Sequence, residues 1–555
     1  MRAINNQSLL VQLVQGAAVA LGSLLALSAQ AAAPGITGPA FALSAAATRI
    51  SQPNGKSVYA WGYGCSATPA GYAPALNVTP ACPAAQLPGP TLIVTEGQKV
   101  TVTLTNNLPA AVGNTSILFP GFTVTTGGTG TPGVLTQEAP NAATCLTAGC
   151  NTVTYTFTAT TPGTHSYYSG TQGDLQVEMG MYGALIVLPS TPPTACDGGI
   201  AAQNVAAKAQ SGEGDYRLAH AAYDHPASCY DREYLFQFSE MDDNVHTQAE
   251  QQVLADQAKA TGCTSPTGCL VVATEPYVPG YFLVNGRSMP DDMDPNYAPQ
   301  YPSQPYNGNP HMHPGELTLV RIIGQGRWQH PFHEHANHVR VLARDGNMLT
   351  SGANGTGALA GPLMFTTTTT PGMTMDGIFY WTGKGLNWDV FGHAAGILNQ
   401  DPNSSTFKTV DVCIPDANGY YTGWNPADGS YNVAVASAPN YFEWCGDHTK
   451  ALEKNPTGQV ASGGPMTLPD PNIVKNGSWY AGSPYLGGEA TGRAVGATPI
   501  PPAGTVANSP SSEAGYAYMW HSHNEREITT DNVFPGGMMM MMLVDPRAFA
   551  IDETN

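Results

Sequence analysis

The strongest constraint on this chain is a succession of strand-length runs that follow one another without helices between them. Pro90 to Leu104 holds two β-rich runs, Thr91-Leu92-Ile93-Val94-Thr95 and Lys99-Val100-Thr101-Val102-Thr103-Leu104, around a Glu96-Gly97 turn. Thr152 to Ala159 alternates polar with apolar or aromatic residues, and Gly183 to Leu188 reads as a short buried strand. A second set comprises Arg232–Glu240, Tyr281–Arg287, Pro314–Ile323, Val339–Leu342, the turn and strand Pro371–Phe379, and a closing stretch from Gly515 to Val544. With 62 Gly, 46 Pro and only 11% charged residues, short strands joined by many turns are favoured over helices. Strands that must bury one face against another sheet predict an all-β chain of β-sandwiches.

The 555 residues divide accordingly. One β unit is predicted over 45–190, a linker rich in Ala, Gly and Gln over 191–228, and a second unit over 229–555. Between about 383 and 514 the strand pattern dissolves into Pro, Gly, Asn and Ser with scattered Trp and Tyr. A loop of that length tends to be functional or separately folded, so it is predicted as an insertion into the second unit.

The first residues address the chain for export. Arg2, an apolar run from Leu9 to Leu27 and the small-x-small Ala29-Gln30-Ala31 predict a signal peptide over 1–31. Gln12 and Gln15 interrupt the run and argue against a membrane anchor, and no later segment is apolar enough to span a bilayer. A secreted, periplasmic or extracellular protein without stable membrane insertion is expected. The ten cysteines agree, because that setting permits disulfides. The sequential pairing Cys65–Cys82, Cys145–Cys150, Cys196–Cys229, Cys263–Cys269 and Cys413–Cys445 is expected, although sequence leaves connectivity open. A net charge of −19 excludes nucleic acid as a natural partner and favours cations. No nucleotide-binding loop and no Gly-x-Ser-x-Gly elbow is present.

Two stretches carry chemistry: His330-Pro331-Phe332-His333-Glu334-His335 and Trp520-His521-Ser522-His523. On a strand, residues i and i+2 share a face. Two adjacent strands would therefore aim His333, His335, His521 and His523 at one point, a donor set suited to copper first and zinc second. Glu334 should face the other way. Glu525 could curl back to give a His–Glu site. His165 and His338 are expected to be ordinary surface or core histidines, and His311-Met312-His313 an exposed loop. The run Met538 to Met542 is expected to pack into the core. Catalytic residues are not identifiable from spacing alone.

These residues resemble the multicopper oxidase family of cupredoxin-domain proteins. His330 to His335 fit its third motif, His-Pro-x-His-x-His. His521 to Glu527 followed by Gly537-Met538 occupy the place of its fourth, His-Cys-His-x-x-x-His and Gly-Met. Thr115 to Gly121, Pro162 to Gly170 and Gly180 to Val187 resemble the first two motifs and the Gly-Leu-Tyr-Gly strand that follows. The resemblance implies two cupredoxin-like Greek-key β-sandwich domains, a long loop-rich insertion in the second, and, by analogy with two-domain relatives, a homotrimer.

The departures from the family matter as much. Ser522 stands for the blue-copper cysteine and Glu527 for its second histidine, so no blue centre is expected. A charge-assisted hydrogen bond between His330 and Glu527 is expected instead, with a metal there as the alternative. Leu118, Pro120, Tyr168 and Gly170 replace four of the eight trinuclear-cluster histidines. What remains suits one copper ion. The resemblance thus implies an exported oxidoreductase with a mononuclear His-ligated copper acting on a small substrate or dioxygen. The alternatives are a non-catalytic copper sequestration or delivery protein, and a structural cell-surface protein on a degenerate oxidase scaffold.

Overall fold

The computed structural model describes residues 33–381 apart from 75–81, 146 and parts of 199–212. It also describes 514–545, residue 551 and short strands between 399 and 486. The predicted signal peptide, most of the insertion, and Cys413 and Cys445 lie outside the described residues.

The first sandwich contains two five-stranded sheets. One runs in the order Gly163–Tyr168, Tyr182–Leu188, Leu92–Thr95, Gly35–Thr37, Tyr72–Ala73; the other runs Ser57–Cys65, Ala40–Ser51, Lys99–Asn106, Thr152–Thr158, Thr125–Gly128. Alternation explains how they face each other. Val100, Val102 and Leu104 point inward with Val153, Tyr155 and Phe157 of the antiparallel neighbour, while the intervening threonines stay half-buried. Ile36, Leu92, Val94, Leu185 and Val187 close the core from the opposite sheet.

The second sandwich is built likewise. One sheet has the order Tyr281–Val284, Arg232–Met241, Leu317–Gly324, Thr374–Tyr380, Val339–Arg344, Asn347–Met348. The other has the order His311–Met312, Met539–Val544, Ala514–Ser522, His330–Glu334, Thr366–Thr369. The core between them joins Tyr234, Phe236, Phe238 and Phe379 to Phe332, Trp520, Met540 and Met542. The methionine run therefore packs as expected.

Arg232–Met241 is buried along its whole length because both its faces are covered. Its outward Leu235 joins Ile323 of the neighbouring strand and Ile93, Ala184 and Ile186 of the first sandwich in one apolar cluster. Polar contacts cross the same boundary: Asp376 accepts from Thr164 N and Oγ1, and Arg321 Nη1 donates to Thr164 Oγ1 at 3.2 Å.

Three features differ from the expectations. A helix, Asp243–Gln257, packs Val245, Ala249 and Val253 onto the first core, with the Asp242 side chain capping its start through Asn244 N. His311 and His313 are not on an exposed loop. They are buried, and His311–Met312 pairs in parallel with Leu543 and Val544. The segment expected as a linker is tied down where it is described: Cys196–Cys229 is a disulfide, and buried Glu213 pairs with Arg232 and His313. The other described disulfides are Cys65–Cys82, Cys145–Cys150 and Cys263–Cys269. Among the described residues no helix is long and apolar enough to cross a membrane.

Candidate metal centre

The strand His330–Glu334 lies between Thr366–Thr369 and Ala514–Ser522, antiparallel to both. The pleat sorts its side chains. Phe332 points into the sandwich core and Glu334 lies on the same face, where it accepts from Thr367 Oγ1 at 3.0 Å. Burial pushes the Glu334 carboxyl up to about 8, so it is neutral at pH 7 and no metal donor. His333 and His335 take the opposite face, and the register sets His333 directly across from His521.

Three imidazoles converge there. Donor nitrogens of His333, His335 and His521 all lie within 4.8 Å of one another, and all three residues are buried. His521 Nδ1 lies 2.7 Å from the Ser522 carbonyl oxygen, which can only accept, so Nδ1 carries the proton and Nε2 presents its lone pair. That Nε2 lies 3.2 Å from His335 Nε2. Two imidazoles on one ion, with metal–nitrogen bonds of about 2.0–2.1 Å and angles of roughly 90–110°, would be separated by about 2.9–3.4 Å. The observed spacing is thus a bite distance. His333 is fixed by Thr366, whose Oγ1 lies 2.7 Å from its Nδ1. Burial, together with repulsion from His335, His521 and His523, lowers His333 to about 4, which leaves it neutral and able to donate to a metal at pH 7. Burial also lowers His521.

His523 sits at the rim. Its backbone N donates to Pro331 O at 2.7 Å, and its ring centroid lies 4.8 Å from that of His333. It is exposed, and it is not in the cluster whose donor atoms approach one another. Glu525 is exposed on the turn Glu525–Ile528 and is also outside that cluster.

His330 and Glu527 are committed to each other. His330 Nδ1 lies 2.9 Å from Glu527 Oε2, and its Nε2 lies 2.9 Å from Glu240 Oε2. Carboxylates accept, so both ring nitrogens donate and the ring is an imidazolium. Burial alone would lower its pKa, but the two carboxylates more than offset that and raise it to about 9. Glu527 also accepts from Ser522 Oγ and Asn524 Nδ2. The position that would hold blue copper in the family is thus filled by a positive ring between two acids, with no nitrogen left to bind an ion. Glu240 was not legible beforehand. It lies ninety residues from His330, and the only cue was that it shares a strand face with Tyr234, Phe236 and Phe238.

The positions 118, 120, 168 and 170 lie elsewhere, where Leu118, Tyr168 and Gly170 border one cavity and Pro120 another.

Comparison with known proteins agrees with the motif reading. Residues 81–192 match the family model described as multicopper oxidase. No curated protein matches the chain. Similar solved structures include a multicopper oxidase, mgLAC, with 15% identity over 91% of this chain and 85% of that one at a TM-score of 0.41. A blue copper oxidase from Nitrosomonas europaea has 16% identity over 91% and 85% at 0.40. A copper nitrite reductase from the same organism has 19% identity over 61% and 84% at 0.34.

Proposed function

With a multicopper oxidase domain matched over 81–192 as its premise, we propose that this chain is an exported copper protein with one non-blue copper ion held by His333, His335 and His521, acting as an oxidoreductase on a small substrate or dioxygen. The observation that carries the reading is the convergence of three buried imidazoles, two of them with Nε2 atoms 3.2 Å apart. The donor set fits copper: neutral nitrogen donors, no thiolate and no carboxylate in the cluster. Copper there would supply one-electron redox chemistry and an open coordination position.

The protein's own residues define the rest. The Ser522 carbonyl and Thr366 hydroxyl fix the rings of His521 and His333. Trp520 Nε1 donates to the His335 carbonyl at 3.2 Å and holds that strand end against the core. His523 stands at the open side, where it can meet a substrate or complete the ligand set. Phe365, partly exposed, packs edge-on against His333 and His338 and walls the approach.

The test is dioxygen uptake by copper-loaded protein with one-electron reductants, compared with the metal-free protein and with His521→Ala. Copper-dependent uptake that the substitution abolishes supports the oxidoreductase. Tight copper binding with no uptake favours sequestration or delivery, the second reading, which the loss of the thiolate at Ser522 motivates.

A further inference from the structure

A cleft of about 420 Å³ lies on the seam between the two sandwiches. Pro120, His165 and Ser166 line it from the first sandwich, and Asp345, Pro371 and Met373 from the second. None of its residues belongs to the histidine cluster. Clefts of this size between domains are where small ligands bind. The lining contains no Lys or Arg, so its one formal charge is the Asp345 carboxylate.

Two acceptors face this space. His165 is 4% exposed, and its Nε2 lies 2.9 Å from the Thr161 carbonyl oxygen. That nitrogen must donate, and burial lowers the pKa of the ring, so the neutral imidazole keeps Nδ1 as an acceptor. Nδ1 lies on the side of Gly121, at the wall of the cleft. Phe122 packs on the ring with centroids 4.7 Å apart and fixes its orientation. Asp345 opens the two-residue turn between Val339–Arg344 and Asn347–Met348, at φ 49° before Gly346 at 73°. Such a turn accepts Asn as readily as Asp, so it does not itself require a carboxylate. Asp345 Oδ1 accepts from Thr374 N at 2.8 Å; among the described residues nothing donates to Oδ2 and no cation pairs with it. The turn packs on the imidazole, since a Cβ on Gly346 would lie 2.7 Å from His165 Cε1. Carboxylate and ring nitrogen are therefore near neighbours. One carboxylate and one imidazole are too few donors to strip a hard metal ion of its water. They suit a cation that carries its own N–H donors, and Pro120, Pro371 and Met373 offer it apolar contact.

We propose that this cleft binds small primary ammonium ions with a compact apolar body, the ammonium donating to Asp345 Oδ2 and His165 Nδ1 and the body lying against Pro120, Pro371 and Met373. The site shares no residue with the histidine cluster and does not depend on copper.

The experiment is titration of the full-length metal-free protein with benzylammonium, followed by calorimetry and saturation-transfer NMR, with benzyl alcohol and benzyltrimethylammonium as comparators. Salt at about 0.15 M screens the general attraction of an acidic protein for cations. The expected result is saturable binding, with benzylammonium preferred over benzyl alcohol by about tenfold, for the charge, and over benzyltrimethylammonium by about threefold to tenfold, for the N–H donors. Asp345→Asn keeps the turn and the bond from Thr374, so it should fold normally, weaken benzylammonium about tenfold and leave benzyl alcohol unchanged. Asp174→Asn, at an exposed acid outside the lining, should change neither. His165→Phe should erase the preference over benzyltrimethylammonium. Equal affinity for benzyl alcohol, unchanged benzylammonium binding in Asp345→Asn, displacement by an equal concentration of calcium, or absence of saturable binding would each overturn the proposal.

Discussion

Replacing His330 by glutamine tests the buried imidazolium directly. The ring has no solvent exposure and donates to Glu240 and Glu527, each at 2.9 Å. Its pKa of about 9, against an ordinary 6.5, corresponds to about 3 kcal/mol of stabilisation. Removing one partner from a buried ion pair costs about 3–5 kcal/mol, a similar figure, because two carboxylates are left facing each other without a cation. The pH signature has a definite sign. The folded value lies above the unfolded one, so the contribution is complete below about pH 6.5 and is lost as the pH rises through 9. Urea unfolding of wild type and His330→Gln at intervals from pH 6 to pH 10 gives both quantities. The variant should be less stable by about 3 kcal/mol at pH 6, and the gap should close towards pH 10. A loss below about 1 kcal/mol, or a gap independent of pH, would refute an imidazolium held by two acids.

Three further outcomes follow from the same geometry. Glu240→Gln removes one of the two carboxylates and should lower the His330 pKa from about 9, which NMR titration of the imidazole would register. Cys196→Ser/Cys229→Ser opens a loop with a sequence separation of 33. Chain entropy sets that cost at about 3–4 kcal/mol, measurable by denaturant unfolding. Adding copper to metal-free protein should raise the melting temperature, since an ion that binds only the folded state stabilises it, and His521→Ala should remove that shift.

The parts of this fold that were legible are those where alternation speaks for itself. Val100, Val102 and Leu104, and Val153, Tyr155 and Phe157, announce one buried face each, and both were found in the core. Phe332 between His330 and Glu334 likewise fixed which side His333 and His335 would take. What was missed depends on partners distant in sequence. His311 and Met312, flanked by Pro and Asn, look like loop until Leu543 and Val544 pair with them. Glu240 gains its meaning only from a strand ninety residues later. The helix Asp243–Gln257 did leave a signal, Val245, Ala249 and Val253 at spacings of four behind a capping Asp242, but its many polar residues masked it. His523 shares the face predicted for it yet lies past the last paired residue of its strand, Ser522, which explains its exposure.

The most direct test of the account is copper content with electron paramagnetic resonance on the copper-loaded full-length chain and on His333→Ala/His521→Ala. The expected result is about one copper per chain in the wild type, bound to nitrogen with a non-blue signal, and loss of both ion and signal in the variant. Undiminished copper with an unchanged spectrum in the variant, or a blue thiolate signal in the wild type, would contradict it.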